Sequence, residues 1–420
     1  MEAIIERCAG LDVHQASIVA CVTVGSGTKK PRKEVKTFGA MTRDLMNLRD
    51  WLSEQGCTHV GMESTGVYWM PVYQILEGDF ELIVGNAQHI ANVPGRKTDV
   101  KDAEWIADLV RHGLIRKSFI PPQPLRDVRD LMRYRRSLVE ARTSERNRLL
   151  KVLEMANIKL SSVATDVFGV SGMHMLRALA DGTQSPQQMA GLAKGLLRRK
   201  LEELGLALEG KVRKHHQEIL KMQLDRLKYL DADIEKLEQQ IEGYMKNYER
   251  ELDLLTSIPG ISRLTASTIL SEAGTDMTCF PSAKHLASWA GLCPGNNESA
   301  GKRMGGRIRK GNVYIKTILV QTAQTVARSK SGYFRDKFYR LKSRRGHKRA
   351  VIAMAHKMLI ASYHVLKTQQ PYKDLGDDYL DRSDERRTAK NLIRRLERLG
   401  YDVKTQKVTT METEANAIAS

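Results

Sequence analysis

Two aspartates three apart, Asp99 and Asp102, stand in the segment RKTDVKDA (residues 96–103), which also carries Arg96, Lys97 and Lys101. Acids set among cations suit a site where a polyanion is drawn in and its phosphate is handled through an oxygen-ligated ion. Residues three apart share one face of a helix, so the two carboxylates can point together. Asp99 is equally placed to cap that helix. Asp12 lies in a strand between Leu11 and Val13, where alternation favours an apolar or neutral residue, and the strand-like stretch in THVGMES ends at Glu63, followed by Ser64, Thr65 and Gly66. Four carboxylates in one place repel one another unless cations neutralise them. An all-oxygen donor set favours Mg²⁺ or Mn²⁺. Two such ions can hold a phosphodiester and stabilise attacking and leaving oxygens together.

A second chemical stretch is GLCPGNNESAGKRMGGRIRKGN (residues 291–312), with Lys302, Arg303, Arg307, Arg309 and Lys310 and a single acid, Glu298. Its glycines let a backbone approach a phosphate closely. Ser299 opens the basic run. It suits a turn, and it also suits a nucleophile on phosphorus if a base or cation assists it. No histidine lies near in sequence, so spacing proposes no Ser-His pair.

The elements that must position these groups follow from periodicity. RCAGLDVHQ and ASIVACVTV read as a strand hairpin, with a third extended piece at EVKTFGA. Residues 41–55 have helical spacing. THVGMES is the fourth strand, GVYWMPVYQILE a helix interrupted by Pro71, FELIVGN the fifth strand. A helix then runs from Asp99 to a stop at Gly113. This order matches a ribonuclease-H-like α/β fold, in which strands one and four are neighbours and Asp12 and Glu63 project side by side.

PPQP (residues 121–124) marks a boundary. Beyond it a long helix is predicted over 125–157. Residues 116–148 hold ten Arg or Lys against four acids, which makes Arg129, Arg133 and Arg136 candidate nucleic-acid contacts. A small helical insertion is read at 158–210. A second long helix over 211–250 carries a heptad-like seam at Leu220, Gln223, Leu227, Leu230, Ile234, Leu237, Ile241, Tyr244 and Tyr248. It fits an intramolecular hairpin and a dimer seam equally. In LLTSIPGISRLTASTILSEAG two helices flank a Pro-Gly turn, the pattern of a helix-hairpin-helix whose N–H groups can meet a phosphate. Two more helices are predicted near 312–328 and 346–367. Residues 328–349 hold ten Arg or Lys and one Asp, suited to phosphates, while Tyr333, Phe334, Phe338 and Tyr339 read as core. The domains expected are 1–120, 121–250, 251–370 with the serine, and a polar tail over 371–420.

The chain has 420 residues and a formal charge of +19, an excess that draws nucleic acid before acidic membranes. No apolar run approaches a membrane span. Five cysteines without paired spacing argue against a zinc ribbon or disulfide framework and for a reducing cytoplasm.

LDVHQ, MESTG, GRKTDVKDA and SAGKRMGG…GN together resemble the DEDD transposases of bacterial insertion sequences, the insertion sequence 110 family. The resemblance covers residues 5–157 and 211–367, and the length and middle insertion resemble the subgroup with subterminal inverted repeats. It implies a RuvC-like domain in which Asp12, Glu63, Asp99 and Asp102 bind Mg²⁺, and a C-terminal transposase domain with Ser299 as nucleophile. Ser-Ala stands here where members more often have Ser-Gly. It further implies a covalent serine–phosphate link, a composite site with acids from another subunit, and dimers that pair into tetramers. A non-coding bridge or seek RNA would pair with donor and target DNA, leaving the protein to read backbone shape. Such an enzyme would work in the bacterial cytoplasm, at the nucleoid when bound to DNA. Two readings compete: a metal-dependent nuclease of Holliday-junction type that activates water without the serine, and a non-catalytic nucleic-acid-binding protein, against which the presence of all four acids argues.

Overall fold

The computed structural model describes residues 2–27, 31–93, 102–295, 297–299 and 301–405. They fall into two units, one ending at Ile120 and the other starting at Pro121.

The first unit is built on a five-stranded mixed sheet. Strands β1 (Arg7–Val13), β2 (Ser17–Val24) and β3 (Arg32–Gly39) form an antiparallel meander. β1 also pairs in parallel with β4 (His59–Glu63), and β4 with β5 (Glu81–Gly85), giving the order 3-2-1-4-5. The first and fourth strands are therefore neighbours, as expected. Alternation decides the faces. Leu11, Ile18, Ala20, Val22, Val60, Met62, Leu82 and Val84 pack on one side with Leu48 and Leu52 of α1 (Thr42–Glu54) and Val72 and Leu76 of α2 (Trp69–Leu76). Pro71 falls in the first turn of α2, where its missing N–H has no helical partner to lose; it does not interrupt the helix. After the short α3 (Ala87–Ala91), capped by the Asn86 side chain, comes α4 (Asp102–Arg111). This helix covers the other face of the sheet, where Cys8 joins Trp105, Ile106, Leu109 and Val110, and Cys21 joins Ala103 and Ala107. Gly113, at φ +65°, follows its end.

Among its described residues the regular structure of the second unit is helical apart from one ribbon. Helix α5 (Gln123–Met155) pairs along α10 (Lys214–Met245) as a hairpin within the chain. The buried seam of α10 is Leu220, Leu224, Leu227, Ile234, Leu237, Ile241 and Met245. Leu224 replaces the expected Gln223, and Tyr244 is exposed. Arg135–Glu238 and Arg142–Asp231 ion pairs flank the seam. Between the two helices, α6 (Leu160–Val163), α7 (Val170–Asp181), α8 (Pro186–Ala190) and α9 (Leu201–Leu208) share a core with the hairpin's end, around Leu149, Met175, Leu176, Leu204 and Leu220.

Helices α11 (Glu249–Thr256) and α12 (Arg263–Ala273) flank the Pro-Gly turn, with Gly260 at φ +85° and Ser262 capping α12. Then follow α13 (Ala283–Trp289), the ribbon of β6 (Asn297–Ser299) and β7 (Lys302–Gly305), α14 (Val313–Val326), α15 (Tyr333–Arg345) and α16 (His347–Thr368). Three helices stand where two were expected. Gly332 and Gly346, both at positive φ, bracket α15 and separate it from its neighbours. Phe334 and Phe338 are core, as read, whereas Tyr339 is exposed. The tail carries α17 (Tyr379–Arg382) and α18 (Glu385–Arg398). Among the described residues no helix is long and apolar enough to cross a membrane.

Candidate active site

In the first unit, two glycines show where α4 lies. A Cβ on Gly10 would meet Ala107 N at 2.2 Å and Ala103 O at 2.3 Å, so β1 touches the helix backbone there. A Cβ on Gly61 would meet Val110 at 2.2 Å and Ile106 at 3.2 Å. Cys8, two residues before Gly10, donates to Ala107 O. The helix thus runs antiparallel to β1, with its first turn toward the strand's C-terminal end. Asp12 lies two residues beyond Gly10 and Glu63 two beyond Gly61. Both therefore project from the helix-covered face, on the order of 7 Å further along. The β1–β4 register pairs Leu11 with Met62, and the next positions are Asp12 and Glu63. Asp102 is the first residue of α4, one turn ahead of Ile106 and so on the side facing β4. The fold brings Asp12, Glu63 and Asp102 to one end of one face.

Each of the two strand acids has a local partner that sequence reading missed. His14 Nε2 lies 3.1 Å from Asp12 Oδ2, and the Thr65 hydroxyl donates to Glu63 Oε1. For His14 the signal was its two-residue spacing from Asp12 across the strand end. Asp99, Arg96, Lys97 and Lys101 lie outside the described residues. Among the described residues no three His, Cys, Asp or Glu side chains are grouped closely enough to hold a metal ion. The donor set itself is oxygen-rich and partly exposed, chemistry that fits a hard divalent cation better than zinc.

The serine lies in the second unit, at the end of β6. Ser299 is paired with Lys302, and Gly301, at φ +72°, makes the turn between them. Lys302 and Arg303 belong to β7; Arg307, Arg309 and Lys310 are exposed beyond it. The ribbon continues to its base through a Pro294–Ile308 bridge and a hydrogen bond from Gly295 N to Arg307 O. Gly291 and Gly311 then meet backbone to backbone. A Cβ on Gly311 would lie 2.3 Å from Gly291 N, so only glycine fits.

Below the ribbon is a buried ion-pair network. Glu272 of α12 is 2% exposed and accepts two 2.8 Å hydrogen bonds from Arg133 and one of 2.7 Å from Asn312 Nδ2. Asn312 Oδ1 in turn caps α14 by accepting from Tyr314 N and Ile315 N, and Asn312 N donates to Trp289 O. One residue therefore closes the ribbon, starts a helix and binds the buried acid. The Arg133 guanidinium also lies over the Tyr314 ring, and its hydrogen bonds to Glu272 hold its pKa up against burial. The structure gives two of the candidate arginines protein surroundings. Arg133 is engaged with Glu272, and Arg129 is buried, with its pKa lowered by desolvation and by neighbouring Arg133. Arg136 is partly exposed, paired with Glu140 and stacked over Tyr314.

Residues 9–158 match the family model of the IS110 DEDD type, described as a transposase, and residues 252–340 match the transposase model of the IS116/IS110/IS902 family. A probable family 20 transposase of Pseudomonas aeruginosa is 26% identical over 67% of this chain and 75% of its own length. An uncharacterized 42 kDa protein of insertion element IS900 from Mycobacterium paratuberculosis is 26% identical over 69% and 80%. A pilin gene-inverting protein of Moraxella bovis is 32% identical over 35% and 48%.

Proposed function

This chain belongs to the IS110 family of transposases, enzymes that exchange DNA strands, and from that premise we propose that it does so through a serine–phosphate intermediate. The observation that carries this reading is that the first unit sets Asp12, Glu63 and Asp102 toward one end of one sheet face; the second unit separately carries Ser299 on a basic ribbon. The strand order 3-2-1-4-5 supports a ribonuclease-H-like, RuvC-like first domain.

In this mechanism the Ser299 hydroxyl oxygen bonds to the phosphorus of a DNA strand. The bond from phosphorus to the leaving sugar oxygen breaks, and that oxygen takes up a proton as the serine loses one. The phosphodiester count is conserved, so a sugar hydroxyl of a second strand can reverse the step without an outside energy source. Arg307, Arg309 and Lys310, with Lys302 and Arg303, hold the strand through its phosphates. Asp12, Glu63, Asp99 and Asp102 would bind Mg²⁺, which when bound would supply charge stabilisation at the phosphate. His14 orients the Asp12 carboxylate, and Thr65 does the same for Glu63.

The family resemblance extends the reading to a guide RNA that selects donor and target DNA by pairing, and to dimers assembling into tetramers with acids and serine from different subunits. A relative named for inverting a pilin gene supports strand exchange as the outcome. The test is strand exchange on plasmid substrates carrying the element's own ends and flanking RNA. Ser299→Ala and Asp102→Asn should each abolish product while leaving salt-sensitive DNA binding in place. Cutting that persists in Ser299→Ala would instead identify a water-activating nuclease.

A further inference from the structure

At the base of the ribbon a groove of about 580 Å³ opens between Leu292, Pro294, Gly306 and Ile308 and helices α15 and α16. Its walls are aliphatic: Leu292, Pro294, Ile308, Leu341 and Ile352. Its rim is cationic, with Lys337, Lys348, Arg349 and Lys357, and among the described residues no acid lines it. The surroundings make this imbalance informative. On α15, Arg340 is matched by Asp336 and Asp381. Lys337, on the same helix, forms no ion pair with a described residue, and neither do Lys348, Arg349 or Lys357. Burial and the nearby Lys357, Arg344 and Arg340 push the Lys337 pKa down. Four unmatched cations around a dry wall repel one another, and this is relieved when an anion sits among them. An apolar slot beneath a ring of phosphate-binding charges has the composition of a site for an unstacked base.

We propose that this groove receives one unstacked nucleobase of a DNA single strand lying on the Ser299 ribbon, with Lys337, Lys348, Arg349 and Lys357 holding the phosphates on either side of it. The proposal deepens the strand-exchange reading and rests on it. Pro294 and Ile308 belong both to the groove and to the ribbon's bridge. Ser299 is five residues further along, at most about 17 Å of extended chain away. A strand anchored by one base in the groove would be held close to the serine. A duplex offers no free base and is held only at the rim.

The experiment uses the full chain, a chelator to prevent chemistry, and a single-stranded DNA carrying one 2-aminopurine. The wild-type protein should bind the single strand at least tenfold more tightly than the same sequence as duplex, and should change the probe's fluorescence severalfold. Ala353→Trp fills the groove from α16. It should weaken single-strand binding about tenfold and remove the fluorescence change. Ile352→Ser, a smaller change, should weaken binding by a lesser factor and serves if the Trp variant does not fold. Lys348→Ala combined with Lys357→Ala should lower the slope of log affinity against log salt by about 1.4, two contacts at roughly 0.7 each. Unchanged affinity and fluorescence in a folded groove variant would overturn the proposal. So would an unchanged salt slope, or tenfold tighter binding of an RNA strand or an acidic peptide than of the DNA. Because no chemistry is read, such a failure would leave the Ser299→Ala test of strand exchange standing.

Discussion

Replacing Glu272 with alanine is the sharpest perturbation of the second unit. The carboxylate is 2% exposed and takes three hydrogen bonds, two from Arg133 and one from Asn312. Its removal leaves a guanidinium over an aromatic ring with no acid partner, beside buried Arg129, which already carries a desolvated charge. Breaking one side of a buried pair costs about 3–5 kcal/mol. At about 2–4 °C per kcal/mol for a domain of this size class, the melting temperature should fall by roughly 6–20 °C. Glu272→Gln keeps the shape and part of the hydrogen bonding and should fall by about half as much. Arg133→Met combined with Glu272→Ala should recover part of the loss, because neither charge then remains unmatched. The assay is thermal unfolding by circular dichroism, completed as a double-mutant cycle. A Glu272→Ala midpoint within about 2 °C of wild type would refute the reasoning. A functional consequence follows, since Asn312 closes the ribbon base: strand exchange should slow in Glu272→Ala even at temperatures where the chain is fully folded.

Other consequences are independent of that network. Gly10→Val should destabilise the first unit by several kcal/mol, because its Cβ would overlap two backbone atoms of α4 that cannot move as a side chain can; a melting temperature equal to wild type would contradict the α4 packing. In the native protein Cys8 and Cys57 should resist alkylation at pH 8, since burial pushes their thiols up to about 12 and about 11, whereas exposed Cys279 should label quickly. Equal labelling of Cys8 and Cys279, read by mass spectrometry, would mean the sheet core is open to solvent. His14→Ala should leave stability within about 0.5 kcal/mol but lower the strand-exchange rate, as its hydrogen bond is to an exposed-side acid rather than to the core; an unchanged rate would remove His14 from the site.

Much of the first unit was legible because its signals are local. Strand alternation, the Gly113 stop and the odd placement of Asp12 each sit within a few residues, and the 3-2-1-4-5 order follows from their succession. Pro71 misled because proline reads as a break until its place in the helix is known, and here it falls in the first turn. The second unit carries more long-range information. Glu272, inside SEAG at a helix end, looks like any surface acid, and its partners stand 139 and 40 residues away. Arg129 and Arg133 look like their neighbours in a basic helix, yet the α5 face that carries them is turned inward. Leu224 took the place of Gln223 in the α10 seam because burial follows the apolar side chain rather than a strict heptad. The separate existence of α15 depended on two glycines whose positive φ no local periodicity reveals.

The central claim is a covalent bond between Ser299 and DNA. It is tested most directly by trapping the reaction on a suicide substrate with Mg²⁺ present and mapping the adduct by mass spectrometry. The expected result is one nucleotide-bearing peptide containing Ser299, absent from Ser299→Ala and from Asp12→Asn. Cleaved DNA with no protein attached, in wild type and Ser299→Ala alike, would contradict it.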